Sequence, residues 1–293
     1  MSSAILDIKY PDIAEALYKA NNLEEAQALY VSSLRGTHNI FHSQYAAKLE
    51  MSRRMLSSSN LKQLEKDFIA FKDHMRVWSK ETGIQLYLQR RQKDFLGLNA
   101  KIRLFLATGQ NLSMINDLLG FRIILKTPYP DNENSIRQCY DVINETMRFF
   151  LLNRNCMLME AEPRNGLEIT PQEAEHLGII VPHKHFLLSG FENNVKDYVL
   201  HPKKNGYQGL HTLISTPKGL IFEVQVKTSF MDILADHGSG NHAKYKATKY
   251  EDANLGFIDF SKINMPGFRV LPSGEVYDKI GLQKSIDPFN LLY

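Results

Sequence analysis

The chain has 293 residues, 43% of them hydrophobic and 23% charged, with a formal net charge of only +3. Such values describe a globular chain with one large domain, or a catalytic domain and an appendage, and the charge is too small to imply a general nucleic-acid binder. The two cysteines, Cys139 and Cys156, make neither a disulfide framework nor a zinc site. No apolar run reaches membrane-spanning length and no signal-peptide pattern opens the chain, so a cytoplasmic location without a membrane partner is expected.

Residues 1 to about 108 read as helical. Ile13, Ala16, Leu17, Ala20, Leu23, Ala26 and Leu29 recur at helical spacing, interrupted by Asn21-Asn22. A further helix is expected over His38 to Leu56, and Ser57-Ser58-Ser59-Asn60 can stop it and cap the next. Leu64, Phe68, Phe71, Met75 and Trp78 then form one apolar stripe, read as core. Gly83 breaks that helix before a basic one spanning roughly Leu86 to Ala107.

After Gly109 the period changes. Leu118 to Lys126, "LLGFRIILK", is a short β-branched run read as a buried strand. Glu133 to Leu152 returns to helical spacing, Pro163 to Gly166 reads as a turn, and a short helix follows Thr170-Pro171. "GYQGLHTLIST" and "GLIFEVQVKT" read as two strands of a hairpin joined at Pro217-Lys218-Gly219. Ser229 to about Tyr250 is expected to be helical and residues 251 to 293 irregular. The class is α/β (α+β), a small mixed β-sheet flanked by helices.

Three sets of residues stand out chemically. Arg90, Arg91, Lys93, Lys101 and Arg103 crowd the basic segment, as a polyphosphate site or as a solvated helix face. Asp117 precedes the first strand, while Glu223 shares a strand face with Gln225 and Lys227. Brought together, two carboxylates beside a basic helix suit Mg²⁺ and a nucleotide; apart, they are ordinary exposed polar residues. In "KDYVLHPKKNGYQGLHTLI" (196–214), Asn205-Gly206 permits a tight turn, and Tyr207, Gly209 and His211 alternate onto one face. That face can stack a base and touch its phosphate or sugar, or it is a half-buried strand with an ordinary Tyr and His. His237 and His242, five apart on a helix, have poor spacing for a shared metal.

In order, these segments resemble the synthetase domain of the RelA/SpoT family, enzymes that make guanosine tetra- and pentaphosphate. The matching blocks are Arg91-x-Lys93 with Lys101; Asp117-x-x-Gly120-x-Arg122; Lys196-Asp197-Tyr198 with Pro202-Lys203-x-Asn205-Gly206-Tyr207-x-x-Leu210-His211; and Glu223-Val-Gln225-Val-Lys227-Thr228. A fifth, Ala235 to Lys246, resembles the family's alanine/histidine helix. The resemblance implies a nucleotidyltransferase-like synthetase fold over 85–250, a helical N-terminal extension at 1–84 and a C-terminal tail at 251–293.

It also implies a GTP/GDP diphosphokinase activity, with pyrophosphate moved from ATP to the 3′-hydroxyl of GDP or GTP. Arg91 and Arg122 would sandwich adenine, and Lys93 and Lys101 would bind ATP phosphates, with Arg103 next to the place of a family arginine. Asp117 and Glu223 would hold Mg²⁺, with Glu223 also activating the 3′-hydroxyl. Tyr207 would stack on the acceptor guanine, Lys203 and His211 would lie near its phosphates, and Asn205 and Gln225 would support the acceptor site.

Departures fall mainly on the ATP side: Gly97 stands for a usual serine and Leu104 for a usual arginine. Lys227-Thr228 replaces Arg-Thr, Gly209 replaces serine, and Asn194 takes the place of the arginine that leads a motif linked to acceptor preference. With no His-Asp dipeptide of the family's hydrolase, the resemblance is to the small single-domain synthetases. An alternative acceptor is the tRNA 3′-end or an adenine nucleotide, as in toxin-type relatives with an antitoxin partner; a homo-oligomer is a further expectation, and intact Asp117, Glu223 and Tyr207 argue against a non-catalytic nucleotide-binding regulator.

Overall fold

Short polar caps set the first helices of the chain, whose computed structural model describes residues 8–93, 95–128, 130–161, 169–237, 262–263, 268–270, 276–278 and 289–290. Asp12 caps α1 (Ile13–Lys19) through the Ala14 N–H, and Asn22 caps α2 (Leu23–Gly36) through the Glu25 N–H. The Asn21-Asn22 break expected from the sequence is this cap. Asn39 accepts from the N–H groups of Phe41 and His42 at the start of α3 (Ile40–Met55). There follow α4 (Ser58–Thr82), β1 (Leu86–Gln92), α5 (Phe95–Ala107), β2 (Leu119–Leu125), α6 (Glu133–Arg154), β3 (Met157–Leu158) and α7 (Pro171–His176). The remainder comprises β4 (Val195–Asp197), β5 (Leu210–Ser215), β6 (Ile221–Thr228), α8 (Ser229–His237), β7 (Phe268–Val270), β8 (Val276–Asp278) and β9 (Phe289–Asn290). No helix among the described residues is long and apolar enough to cross a membrane.

The chain divides into two compact units, one of Met1–Asn60, Gln92–Leu118 and Ala243–Lys284, the other of Leu61–Arg91, Leu119–His242 and Ser285–Tyr293. In the first, α1, α2 and α3 share one apolar core with α5, built from Ile13, Leu17, Leu34, Leu49, Leu98 and Ile102. Burying each such side chain contributes about 1.5–3 kcal/mol. The antiparallel pair β7–β8 belongs to the same unit.

The second unit is organised on a seven-stranded mixed sheet of order β3-β5-β6-β2-β1-β9, with β4 pairing β5 off that path. β2 runs parallel to β6, while β5 pairs β6, β4 and β3 antiparallel. The β5–β6 hairpin turns where expected, closed by Gly219 N–H on the Thr216 carbonyl at 2.8 Å. Phe121 and Phe222 turn to one face and meet Phe150, with ring centroids 5.0 to 6.1 Å apart. Phe71 of α4 joins them at 5.1 Å from Phe150, so α4 and α6 cover this face. Alternation therefore sends Arg122, Glu223, Gln225 and Lys227 to the opposite face.

Two expectations change. The basic segment is not one helix: Leu86 and Leu88 are buried and alternate with the less buried Tyr87 and Gln89, the two-residue period of a strand, and β1 ends before α5 begins. Arg90 and Arg91 therefore lie on a strand and point to opposite faces. Tyr207 does not begin β5, which starts at Leu210. Helix α8 is described to His237. The Pro163–Gly166 turn, the remainder of the 229–250 helix, His242, the side chain of His237 and most of 251–293 lie outside the described residues.

Candidate active site

Register builds the site on the open face of the sheet. Lys196 of β4 stands opposite His211 of β5, His211 opposite Gln225 of β6, and Gln225 opposite Arg122 of β2. One step along, Glu223 stands opposite Gly120. Gly120 is required here, because a Cβ at that position would lie 2.6 Å from the Glu223 carbonyl oxygen.

A chain of hydrogen bonds crosses this face. His211 Nδ1 is 3.0 Å from Glu223 Oε1, and His211 Nε2 is 2.7 Å from Tyr207 Oη. Gln225 Nε2 donates to Glu223 Oε2 at 2.5 Å, and Gln225 Oε1 accepts from Arg91 Nη1 at 3.3 Å. Burial pushes the His211 imidazole below its usual range although Glu223 pulls the other way, so the ring is neutral at pH 7. A neutral ring has one donor and one acceptor, and the carboxylate can only accept. Nδ1–H therefore donates to Glu223 and Nε2 accepts from the Tyr207 hydroxyl. Burial and the Glu223 charge raise the Tyr207 phenol far above its usual range, which keeps it a donor.

The loop before β5 folds Tyr207 back over the strand. Asn205 Oδ1 accepts from the Tyr207 N–H at 3.2 Å, so Asn205 shapes the turn. Gly209 has φ +155°, a conformation that L side chains rarely adopt, and a Cβ there would approach Lys227 Cγ at 3.2 Å. The departure from serine at this position thus accompanies a backbone that only glycine takes easily. The Tyr207 ring lies under two ammonium groups, Lys203 at 4.9 Å and Lys227 at 4.5 Å from its centroid.

Three residues to which the sequence assigns no role join the site. Tyr198 is edge-on to Tyr207 at 5.7 Å and carries Lys203 at 4.4 Å over its ring. Lys227 is 2% exposed, and Asp232 of α8 stands 3.8 Å from it and 3.5 Å from Arg122. Tyr198 sits inside a matching block, whereas Asp232 leaves no local signal. Asp197 accepts from the Tyr140 hydroxyl and from the N–H groups of Val199 and Leu200, so its carboxylate organises a loop.

In the other unit, Asp117 Oδ2 is 2.9 Å from Lys93 Nζ and Oδ1 is 2.9 Å from Lys101 Nζ. Burial opposes its charge, but the two ammonium groups outweigh burial and hold the carboxyl well below the usual aspartate range. Arg103 is a correction. It was expected near ATP phosphates, yet it is 3% exposed in the helical core. There it donates to Tyr30 Oη at 2.6 Å and stacks 4.6 Å from the Tyr10 centroid. Two positions beyond Lys101, it faces about 200° away around α5, toward α1 and α2.

Comparison with known proteins bears on this layout. Residues 165–250 match the family described as a "Region found in RelA / SpoT proteins". Among curated relatives, the guanosine-3′,5′-bis(diphosphate) 3′-pyrophosphohydrolase of Spiroplasma citri is 31% identical over 58% of this chain and 16% of its own length. The bifunctional (p)ppGpp synthase/hydrolase SpoT of Escherichia coli K12 is 42% identical over 57% of this chain and 17% of its own. The chain thus spans less than a fifth of the length of these relatives. Among solved structures, the small alarmone synthetase 1 from Bacillus subtilis bound to pppGpp aligns with 70% of this chain and 88% of that one. Its TM-score is 0.41 and its identity 15%. The matched residues 165–250 include Lys203, Tyr207, His211, Glu223 and Gln225.

Proposed function

We propose that this chain moves the β,γ-pyrophosphate of ATP to the 3′-hydroxyl of GDP or GTP, releasing AMP and forming ppGpp or pppGpp. The observation that carries this reading is the Arg91–Gln225–Glu223–His211–Tyr207 hydrogen-bond chain, all five members of which fall in the blocks that resemble the RelA/SpoT synthetases.

Glu223 is the base. Gln225 and His211 each occupy one of its oxygens with a donated hydrogen bond, which fixes the carboxylate while leaving it ionised to accept the 3′-hydroxyl proton. The acceptor oxygen then forms a bond to the β-phosphorus of ATP as the bond from that phosphorus to the α-bridging oxygen breaks, and AMP carries the electron pair away. Tyr207 stacks the acceptor base, Lys203 offers positive charge to its phosphates, and Arg91 and Arg122 flank adenine. Lys93 and Lys101 exchange part of their hold on Asp117 for ATP phosphate oxygens.

The donor chemistry fits Mg²⁺. Asp117 and Glu223 each offer hard carboxylate oxygens, the donor type that Mg²⁺ takes together with substrate phosphates. When bound, the ion offsets charge on the transferred phosphoryl oxygens.

The test is labelled ATP with Mg²⁺, offered in parallel with GDP, GTP, adenine nucleotides and tRNA. AMP release with a 3′-pyrophosphorylated guanosine nucleotide is expected, and addition of a chelator abolishes it. Label in tRNA or in adenine nucleotides alone reassigns the acceptor; no AMP with any acceptor sinks the reading.

A further inference from the structure

Lys48 of α3 is only 4% exposed, and its Nζ donates to the Ile115 carbonyl at 3.0 Å. Ile115 lies two residues before Asp117. A buried ammonium is costly unless its charge and its three donors are answered, and a single neutral carbonyl answers neither in full. Beyond that bond, its charge is felt by Asp117, which it attracts, and by Lys101, which it repels.

The neighbouring turn of α3 repeats the pattern. Tyr45, three residues earlier and so on the same helix face, reaches Asn99 of α5, with Oη 2.5 Å from Asn99 Oδ1 and 3.3 Å from its carbonyl. Asn99 is two residues before Lys101. Both halves of the Lys101–Asp117 ion pair are therefore tied to α3 by buried polar bonds, one through Tyr45 and one through Lys48. Arg103 adds a third tie, from α5 to Tyr30 of α2.

We propose that Lys48 is a positioning residue for the ATP-phosphate site: it pins the 115–117 segment so that Asp117 meets Lys93 and Lys101, and it adds a third positive charge beneath them. The N-terminal helices are then a working part of this site. The inference rests on the proposed role of Lys93, Lys101 and Asp117.

Lys48→Met, Lys48→Gln and Lys48→Arg separate the possibilities, read by KM for ATP, KM for the acceptor and Tm in the full chain. Lys48→Met is expected to raise the ATP KM at least about tenfold with the acceptor KM within about twofold, and Lys48→Arg, which keeps charge and donors, restores most of the loss. Lys48→Gln keeps a donor without charge and falls between them. A lowered Tm with an unchanged ATP KM in all three variants leaves Lys48 a structural residue and overturns the inference. The same holds if both KM values rise equally. Should Lys48→Met fail to fold, the contrast of Lys48→Gln with Lys48→Arg decides by the same KM ratio. A parent that releases no AMP with any acceptor refutes the proposed function itself, a result distinct from an active parent whose variants are unchanged.

Discussion

His211 holds Glu223: its Nδ1 lies 3.0 Å from the carboxylate Oε1, while its Nε2 is 2.7 Å from the Tyr207 hydroxyl. The imidazole thus joins the proposed base to the aromatic ring proposed to stack the acceptor.

Removing the base has the larger effect. Glu223→Gln is expected to lower kcat by at least about 10²-fold with the ATP KM nearly unchanged, the range for a lost general base. Tyr207→Phe keeps the ring and removes only the donor to Nε2, so a decrease of about three- to tenfold in kcat is expected, within what one neutral hydrogen bond contributes. Steady-state AMP release measures both. A Tyr207→Phe loss as large as that of Glu223→Gln would mean that the phenol touches the reacting atoms.

Gly120→Ala tests the close approach of β2 and β6. The added Cβ would meet the Glu223 carbonyl oxygen at 2.6 Å, so β6 must shift where the base is carried. A stability loss of about 1–3 kcal/mol and a fall of at least about tenfold in kcat are expected, read by denaturant unfolding and turnover. Parent-like values in both would show that the strands part without cost.

Arg103 and Arg91 separate a core cation from a site cation. Arg103→Met takes the donor from the Tyr30 hydroxyl and the cation from the Tyr10 face, with a cost of about 1–3 kcal/mol in stability. Arg91→Ala is expected to raise the ATP KM about tenfold and leave Tm within a few degrees. If Arg103→Met raises the ATP KM with no fall in Tm, Arg103 returns to the phosphate site.

His42 makes the stability of its unit depend on pH. It is buried, with Nδ1 2.6 Å from Thr37 Oγ1, and burial followed by the Arg103 charge pushes its pKa below the usual value. The unfolded chain then binds the proton more readily than the folded one, so stability is full above the unfolded pKa of about 6.5 and is lost as pH falls through the lower folded value. Thermal unfolding of the parent should drop more steeply below pH 6.5 than that of His42→Gln. Parallel curves would show that His42 titrates alike in both states.

Much of the fold is legible in local sequence because local contacts decide it. Asn22 and Asn39 start helices wherever they precede a helical period, Thr170-Pro171 begins α7 with its capping box to Glu173, and Pro217 to Gly219 closes a hairpin. The aromatic stripe of α4 was readable as core, and Glu223, Gln225 and Lys227 were readable as one strand face. The segment "LYLQRRQ" was not legible in the same way. Leu, Gln and Arg are strong helix formers, and only a place beside β2 makes the two-residue period of Leu86 and Leu88 the one that counts.

By itself, the sequence determined the class of fold, the ordered blocks of the synthetase family and the identity of nearly every polar group on the open face. Tertiary structure alone decided their company: that His211 bridges Tyr207 to Glu223, that Gly120 makes room for a carbonyl about a hundred residues away, that Arg103 turns inward and that Lys48 grips the Asp117 segment. Periodicity and caps are set by neighbours along the chain. A side chain's partner is set by which elements the whole core brings together, and no short stretch encodes that.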